Sequence, residues 1–505
     1  MASPSHRRTP FSRRGRLVLA TGLAVAAGAL AIPAVNAATE AATTTTPSTK
    51  RLHDDFNGDG YPDLAIGAPG TAPDGETKVG AVSVLYGSSQ GLSTSRKQVL
   101  NRAVPAYNSG HGTQLQSADL DGDGYADLLS TVGEYREDID QGYALVVNWG
   151  GPKGLSATAT ALTWAPQFEW QGGFTVADVD GDKHPDVVTA SADEWYSNTP
   201  DVDNGDGTVW HGPFTRAGQP VKKDYFRVVP ERSTHFHSLT AGDVTGDGVA
   251  DLVVRMGGNG SPDSRAAALL AGGPGGLSPK GLLRDAQGGI IGGEDAAIGD
   301  LNKDGYGDIV VGRSNDMYDS AEPPFRGGGL AVVYGGPDGV STTRKPVWIN
   351  QDTAGVPGSA EHGDGMGSGL SVGDTNGDGY LDVATGLPGE DLGALTDAGS
   401  VLVLRGSANG LTATGIKSFT QNTSGVPGTA EKLDRFGEQT ALVDANGDKK
   451  DGLVVGAPAE NAGNGSVWVF SSASGGVTAS GSFSFGPTTM GLRAAGARFG
   501  ASVAD

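Results

Sequence analysis

No cysteine occurs among the 505 residues, so a disulfide framework, a thiolate-held metal and a thiol nucleophile are all excluded. Helical periodicity is missing throughout, and aromatics make up only 7% of the chain. Basic residues are scarce beside acids, 36 against 58, for a net charge of −22; the first 37 residues hold five Arg and no acid, which leaves the remainder near −27. Nucleic acid and anionic membranes are thereby poor partners, and neither nucleic-acid binding nor a membrane span is expected. Long apolar runs are absent too. The longest, Leu17 to Ile32, has 16 residues, short of the roughly 20 that a spanning helix needs. With Arg7, Arg8, Arg13, Arg14 and Arg16 before it and small residues after it, this run reads as a secretory signal peptide over 1–37, cleaved after Ala37. Export by the general secretory route is expected, with Arg13-Arg14 raising a twin-arginine alternative. Residues 38–51, rich in Ala and Thr, read as a flexible leader.

Glycine, by contrast, is abundant at 83 residues without a three-residue period, which implies many turns between short strands rather than collagen. The acids recur in register. A nine-residue frame starts at Asp55, Asp119, Asp178, Asp243, Asp300, Asp374 and Asp444, at spacings of 64, 59, 65, 57, 74 and 70 residues. Each frame leads into a short apolar strand such as Leu64 to Ile66, and most are followed by a second β run such as AVSVLYG (81–87) or LAVVYGG (330–336). Most are also preceded by a strand, as in FGEQTALVD from Phe436.

A unit of this size with about four antiparallel strands is a propeller blade, and seven fall within the usual range. The expected fold is therefore all-β: a seven-bladed β-propeller of four-stranded antiparallel blades over 52–505. The first frame lacks its upstream strand, while the tail RFGASVAD (498–505) is such a strand without a frame. The C-terminal strand is thus expected to join blade one and close the ring, removing exposed sheet edges.

Oxygen donors at positions 1, 3, 5 and 9 of the frame, with a main-chain carbonyl at 7, form the hard donor set that Ca²⁺ requires. The expected ligands are Asp55, Asn57, Asp59, Tyr61 and Asp63 in blade one, then Asp119, Asp121, Asp123, Tyr125 and Asp127 in blade two. Blade three offers Asp178, Asp180, Asp182, His184 and Asp186; blade four offers Asp243, Thr245, Asp247, Val249 and Asp251. Blades five and six offer Asp300, Asn302, Asp304, Tyr306, Asp308 and Asp374, Asn376, Asp378, Tyr380, Asp382; blade seven offers Asp444, Asn446 and Asp448. An EF-hand is excluded because position 12 carries no acid (Ile66, Ser130, Thr189, Val254, Val311, Thr385, Val455) and strands flank the loop. Thr245 at position 3 and Gly452 at position 9, with Asp451 displaced by one, mark the fourth and seventh sites as weakest. The second and third, with four acids each, are expected to bind tightest. About five to seven Ca²⁺ per chain would offset clustered charge and brace an exported fold without disulfides.

Phe436-Gly437 before a frame, Gly67-Ala68-Pro69 and Gly456-Ala457-Pro458 after frames, and GVPG at 355–358 and 425–428 make the chain resemble the FG-GAP repeat family. That family supplies the blades of the integrin α-chain propeller; the GVPG stretches are similar to bacterial secreted members. The resemblance implies calcium in the hairpin between the first two strands of each blade, with ligand binding on the opposite face. No nucleophile elbow, zinc motif or phosphate loop stands out. His235 and His237 suggest a metal pair, but His235, like His111, falls in the slot of Phe436 and Phe499 and reads as packing. Aromatics of the irregular loops, Tyr135, Trp195, Tyr196, Tyr318 and Phe325, are the candidate ligand contacts. The chain is expected to be a monomeric, non-enzymatic extracellular binder of a carbohydrate or protein, involved in adhesion or ligand capture. Its alternatives are a polysaccharide- or lipid-degrading enzyme and a structural envelope component.

Overall fold

Runs of alternating inward residues, each ended by glycine or by an Asp-rich turn, form short strands that hairpin onto one another. The computed structural model describes residues 52, 54–72, 79–101, 110–136, 139–162, 173–190, 207–228, 235–257, 265–314 and 326–504, without the side chains of 134–143, 235–237 and 257. The expected signal peptide and leader lie outside these residues. Those described belong to one compact unit, Pro47–Asp505.

Among the described residues seven four-stranded antiparallel sheets follow one another as meanders, so the fold is the seven-bladed propeller that the repeat predicts. In blade six, for example, Ser368–Gly373, Asp382–Leu387, Ser400–Arg405 and Thr412–Phe419 pair in chain order. Blade one is the exception. Its strands Leu64–Gly67, Ala81–Leu85 and Lys97–Asn101 are completed by Val503–Ala504, which pairs with the first of them through Ala65↔Ala504 and Ile66↔Val503. The ring is therefore closed by the end of the chain. Helix is nearly absent, limited among the described residues to Glu460–Gly463.

Strand periodicity places the core between blades. Leu64 and Ile66 pack with Val454, Val467 and Phe499 of the blade seven side, while Ala65 points the other way, against Leu115 and Leu128 of blade two. Clusters of the same kind occupy the other five junctions. Because both faces of a blade are covered, its second and third strands are buried along their length, as in AVSVL and AAALLA. Fourth strands such as KKDYF, with a neighbour on one edge only, are mostly exposed.

His111 sits in the slot that Phe499 fills: Gly80↔His111 and Gly465↔Phe499 are equivalent parallel bridges, and Gly328↔Met366 is a third. The imidazole is buried, its Nε2 is 3.0 Å from Ser130 Oγ, and burial pushes its pKa down to about 4. It is a neutral packing residue. The side chains of His235 and His237 are not among those described.

Candidate metal centre

Six frames lie in the turn between the first and second strands, the first frame leads directly into Leu64–Gly67, and all seven share one backbone path. Position 4 (Gly58, Gly122, Gly181, Gly246, Lys303, Gly377, Gly447) and position 6 (Gly60, Gly124, Lys183, Gly248, Gly305, Gly379, Lys449) all have positive φ. Glycine serves this conformation without strain, and the three lysines adopt it at some cost. The side chains then lace the turn. In every frame the position 6 N–H donates to the Oδ2 of the position 1 Asp, at 2.6 to 3.0 Å. In every frame the position 7 N–H donates to Oδ1 of the position 5 Asp. The position 3 side chain receives the position 5 N–H in five of them. These bonds leave at position 3 a second carboxylate oxygen in Asp121 and Asp180 but only the remaining lone pair of one amide oxygen in Asn57, Asn376 and Asn446. The second oxygen of the position 5 Asp faces a cation or a neighbouring side chain, as Asp59 does Arg96 and Asp378 does Asn376.

The Asp at position 9 does something the spacing did not show. Asp63, Asp127, Asp186, Asp251, Asp308 and Asp382 are fully buried. One oxygen accepts the position 2 N–H and the other the N–H of a glycine beyond the third strand: Gly87, Gly150, Gly212, Gly272, Gly335 and Gly406. Each carboxylate thus clamps its frame to its own blade. The glycine is needed there because a Cβ at Gly87, Gly150 or Gly406 would lie 2.1 to 2.2 Å from the position 8 carbonyl. Blade seven has no such clamp, having Gly452 at position 9. Its Asp451 instead receives the Asp374 N–H of blade six at 2.6 Å.

The frames are also tied to each other. The position 8 N–H donates to the position 1 carbonyl of the preceding frame at Ala126→Asp55, Ala250→Asp178, Gly307→Asp243, Leu381→Asp300 and Asp451→Asp374. Position 8 is Pro62 in blade one and Pro185 in blade three, which have no N–H. Those junctions are held by Ser88→Ala445 and Phe214→Leu120 instead. Backbone hydrogen bonds therefore tie an acidic loop to the following blade at all seven junctions.

Electrostatics fits a cation at these loops. Burial, reinforced by the neighbouring carboxylates of the same frame, pushes Asp63 and Asp127 up to about 8 and Asp308 up to about 7. A dication among these acids would supply the charge that keeps them ionised. Groups of three close acidic or imidazole ligands occur, among the described residues, in the second frame (Asp119, Asp121, Asp127) and the third (Asp178, Asp180, Asp182; Asp180, Asp186, His211). These are the two frames with four acids each. In the second, Arg216 of blade three already pairs with Asp121 at 2.6 Å and with Asp123. In the fifth, Asn302 donates its amide to Asp308 at 3.0 Å, leaving its oxygen as the donor. Arg405 in blade six holds Asp382 at 3.0 Å.

His211, Arg216 and Arg405 were not legible as site residues. The signal that could have found His211 is its place before the glycine that ends the third strand, where other blades have Tyr86, Trp149 and Tyr334. Two further acidic pairs, Asp364 near Glu390 and Asp434 near Glu460, recur after the two GVPG stretches and were also missed. Of the aromatic ligand candidates, Trp195, Tyr196, Tyr318, Phe325 and the side chain of Tyr135 lie outside the described set.

A closed ring of seven blades with an acidic loop at one end of each defines a repeat propeller. The FG-GAP repeat model matches residues 53–85, 366–404 and 436–470, so the chain carries FG-GAP repeats in an integrin-like propeller. Human (Homo sapiens) integrin alpha-6 is 36% identical over 119 residues, 24% of this chain and 9% of that protein. Mouse (Mus musculus) integrin alpha-IIb is 44% identical over 82 residues, 16% and 7%. Mouse phosphatidylinositol-glycan-specific phospholipase D is 32% identical over 159 residues, 32% and 17%. The chain thus matches less than a fifth of the length of each of these relatives. A subtype N11 neuraminidase-like protein of A/flat-faced bat/Peru/033/2010 superposes with a TM-score of 0.32 at 8% identity, over 74% of this chain and 88% of that one. No helix among the described residues is long and apolar enough to cross a membrane.

Proposed function

We propose that this protein is exported and works outside the cell as a calcium-braced propeller that captures a carbohydrate or protein ligand without turning it over. The observation that carries the reading is the shared conformation of the seven frames, which presents carboxylate and amide oxygens at one end of every blade. Asp55, Asp119 and their equivalents at position 1, with positions 3, 5 and 9, would hold the ion. The antiparallel meander puts the loops between second and third strands at the opposite end. In the sequence Trp195, Tyr196, Tyr318 and Phe325 follow second strands; they are residue types suited to stacking on sugar rings or anchoring a protein. Integrin relatives support a binding role. The phospholipase D match supports the alternative of an extracellular lipid-degrading enzyme, though it touches 17% of that protein.

Thermal unfolding of the exported chain in excess Ca²⁺ and in chelator, with bound calcium counted, tests the brace. Five to seven ions per chain and a large reversible rise in Tm are expected, since each site at 100 Kd contributes about 2.7 kcal/mol. No bound calcium and an unchanged Tm would reduce the frames to acidic turns. Glycan and protein arrays with the W195A/Y196A variant test the binding face, and a lipid and polysaccharide panel tests for turnover. Binding that survives the double substitution would remove those aromatics from the contact, and turnover would favour the enzyme.

A further inference from the structure

We propose that blade three holds a first-row transition-metal ion, with zinc as the type, on Asp180, Asp186 and His211. The loops of the other blades offer sets of oxygen donors; this one adds a nitrogen. His211 ends the strand Gly207–His211 and is 2% exposed. Its Nδ1 lies 3.0 Å from Asp180 Oδ2 and 3.2 Å from Asp186 Oδ1, yet makes no hydrogen bond of good geometry. Ligand atoms that share an ion at 2.0 to 2.2 Å stand about 2.8 to 3.6 Å apart, from a right angle to a tetrahedral one between them. The separations match.

The other side of the ring sets the orientation. His211 Nε2 is 3.0 Å from Asp224 Oδ2, the arrangement in which a carboxylate takes the Nε2 proton and turns the opposite lone pair toward a metal. An imidazole nitrogen facing two carboxylates is repulsive unless a proton or a metal cation lies between them, and titration with Zn²⁺ and Co²⁺ distinguishes the two. Calcium favours oxygen donors, whereas one imidazole with two carboxylates suits zinc and its neighbours in the row. Asp186 is held by Val179 N and Gly212 N, both at 3.1 Å, so this ligand is fixed by its backbone. Lys222 Nζ, 3.6 Å from Asp180 and 3.4 Å from Asp224, belongs to a side chain 55% exposed that is free to swing away. Asp180 and Asp186 are also positions 3 and 9 of the blade-three calcium loop, so zinc competes there with one calcium, and the inference does not depend on calcium in the other six blades.

The untagged exported chain, stripped of metal and returned to saturating Ca²⁺, is titrated with Zn²⁺ by calorimetry and with Co²⁺ by visible absorption. One tight zinc per chain is expected, with Co²⁺ ligand-field bands. H211Y, which installs the residue of blades one and five at this position, should fold with unchanged Tm in chelator while losing the bands and weakening zinc at least 100-fold. D224N should weaken it roughly tenfold. Absence of zinc binding, or zinc binding equal in wild type and H211Y, overturns the proposal. Calcium counts in the same samples separate its failure from failure of the calcium reading.

Discussion

Replacing Asp251 by Ala separates the clamp from the metal. This carboxylate is fully buried and accepts three backbone N–H groups: Val244 and Thr245 at 2.8 Å on one oxygen, and Gly272 at 2.9 Å on the other. Alanine leaves all three donors without an acceptor beneath a buried sheet. Hydrogen bonds to a charged acceptor contribute about 1.5 to 3 kcal/mol each and do not add fully, so the expected loss is about 3 to 6 kcal/mol. Blade four is the right place to ask because Thr245 stands at position 3, making its loop one of the two weakest expected cation sites and the one of them that keeps an Asp at position 9. The shift in urea midpoint, at constant m, should therefore agree between calcium and chelator within about 1 kcal/mol. D251N, which keeps the shape but turns an amide N–H₂ toward a donor, should fall between wild type and D251A. A loss seen only in calcium, or below about 1 kcal/mol in both buffers, would refute the clamp and return position 9 to a purely metal-binding role.

Two other tests address the ring and its acids. Phe499, fully buried and edge-on to Phe485 at 5.6 Å, packs where the C-terminal strand joins blade one. F499A should cost about 3 to 5 kcal/mol, as should F436A at the equivalent slot beside Trp468; a small effect at Phe499 alone would mean that closure contributes little stability. Glu460 is pushed from 4.5 up to about 7, first by burial and then by the charge of Asp434. Its folded form keeps a proton that the unfolded chain releases, so stability falls as pH rises from about 4.5 through 7. At about 1.4 kcal/mol per pH unit the loss reaches at most about 3 kcal/mol. E460Q should gain on wild type in urea midpoint between pH 5 and pH 8, and parallel curves for the two would remove Glu460 from the pH response.

The sequence by itself determined the blade count, the approximate place of the strands and the ring closure. Repeats set these locally: an acidic turn in register, a two-residue apolar alternation, and an orphan strand at 498–505 that fits only the blade lacking one. It also named the side chains at positions 1, 3 and 5 that fold back on the turn, because a nine-residue loop sets which side chains reach its own N–H groups, whereas the buried clamp at position 9 was not legible. Only the tertiary structure decided what comes to the frame from elsewhere. The glycine clamped by Asp127 is 23 residues away and Arg216 lies 95 residues from its partner Asp121. Their contacts depend on how blades nest, and no local pattern encodes that. His211 is the clearest case: it stands in line with Tyr86 and Tyr334 along the chain, and becomes a nitrogen donor only because the fold turns Asp180 and Asp186 against one side of its ring and Asp224 against the other.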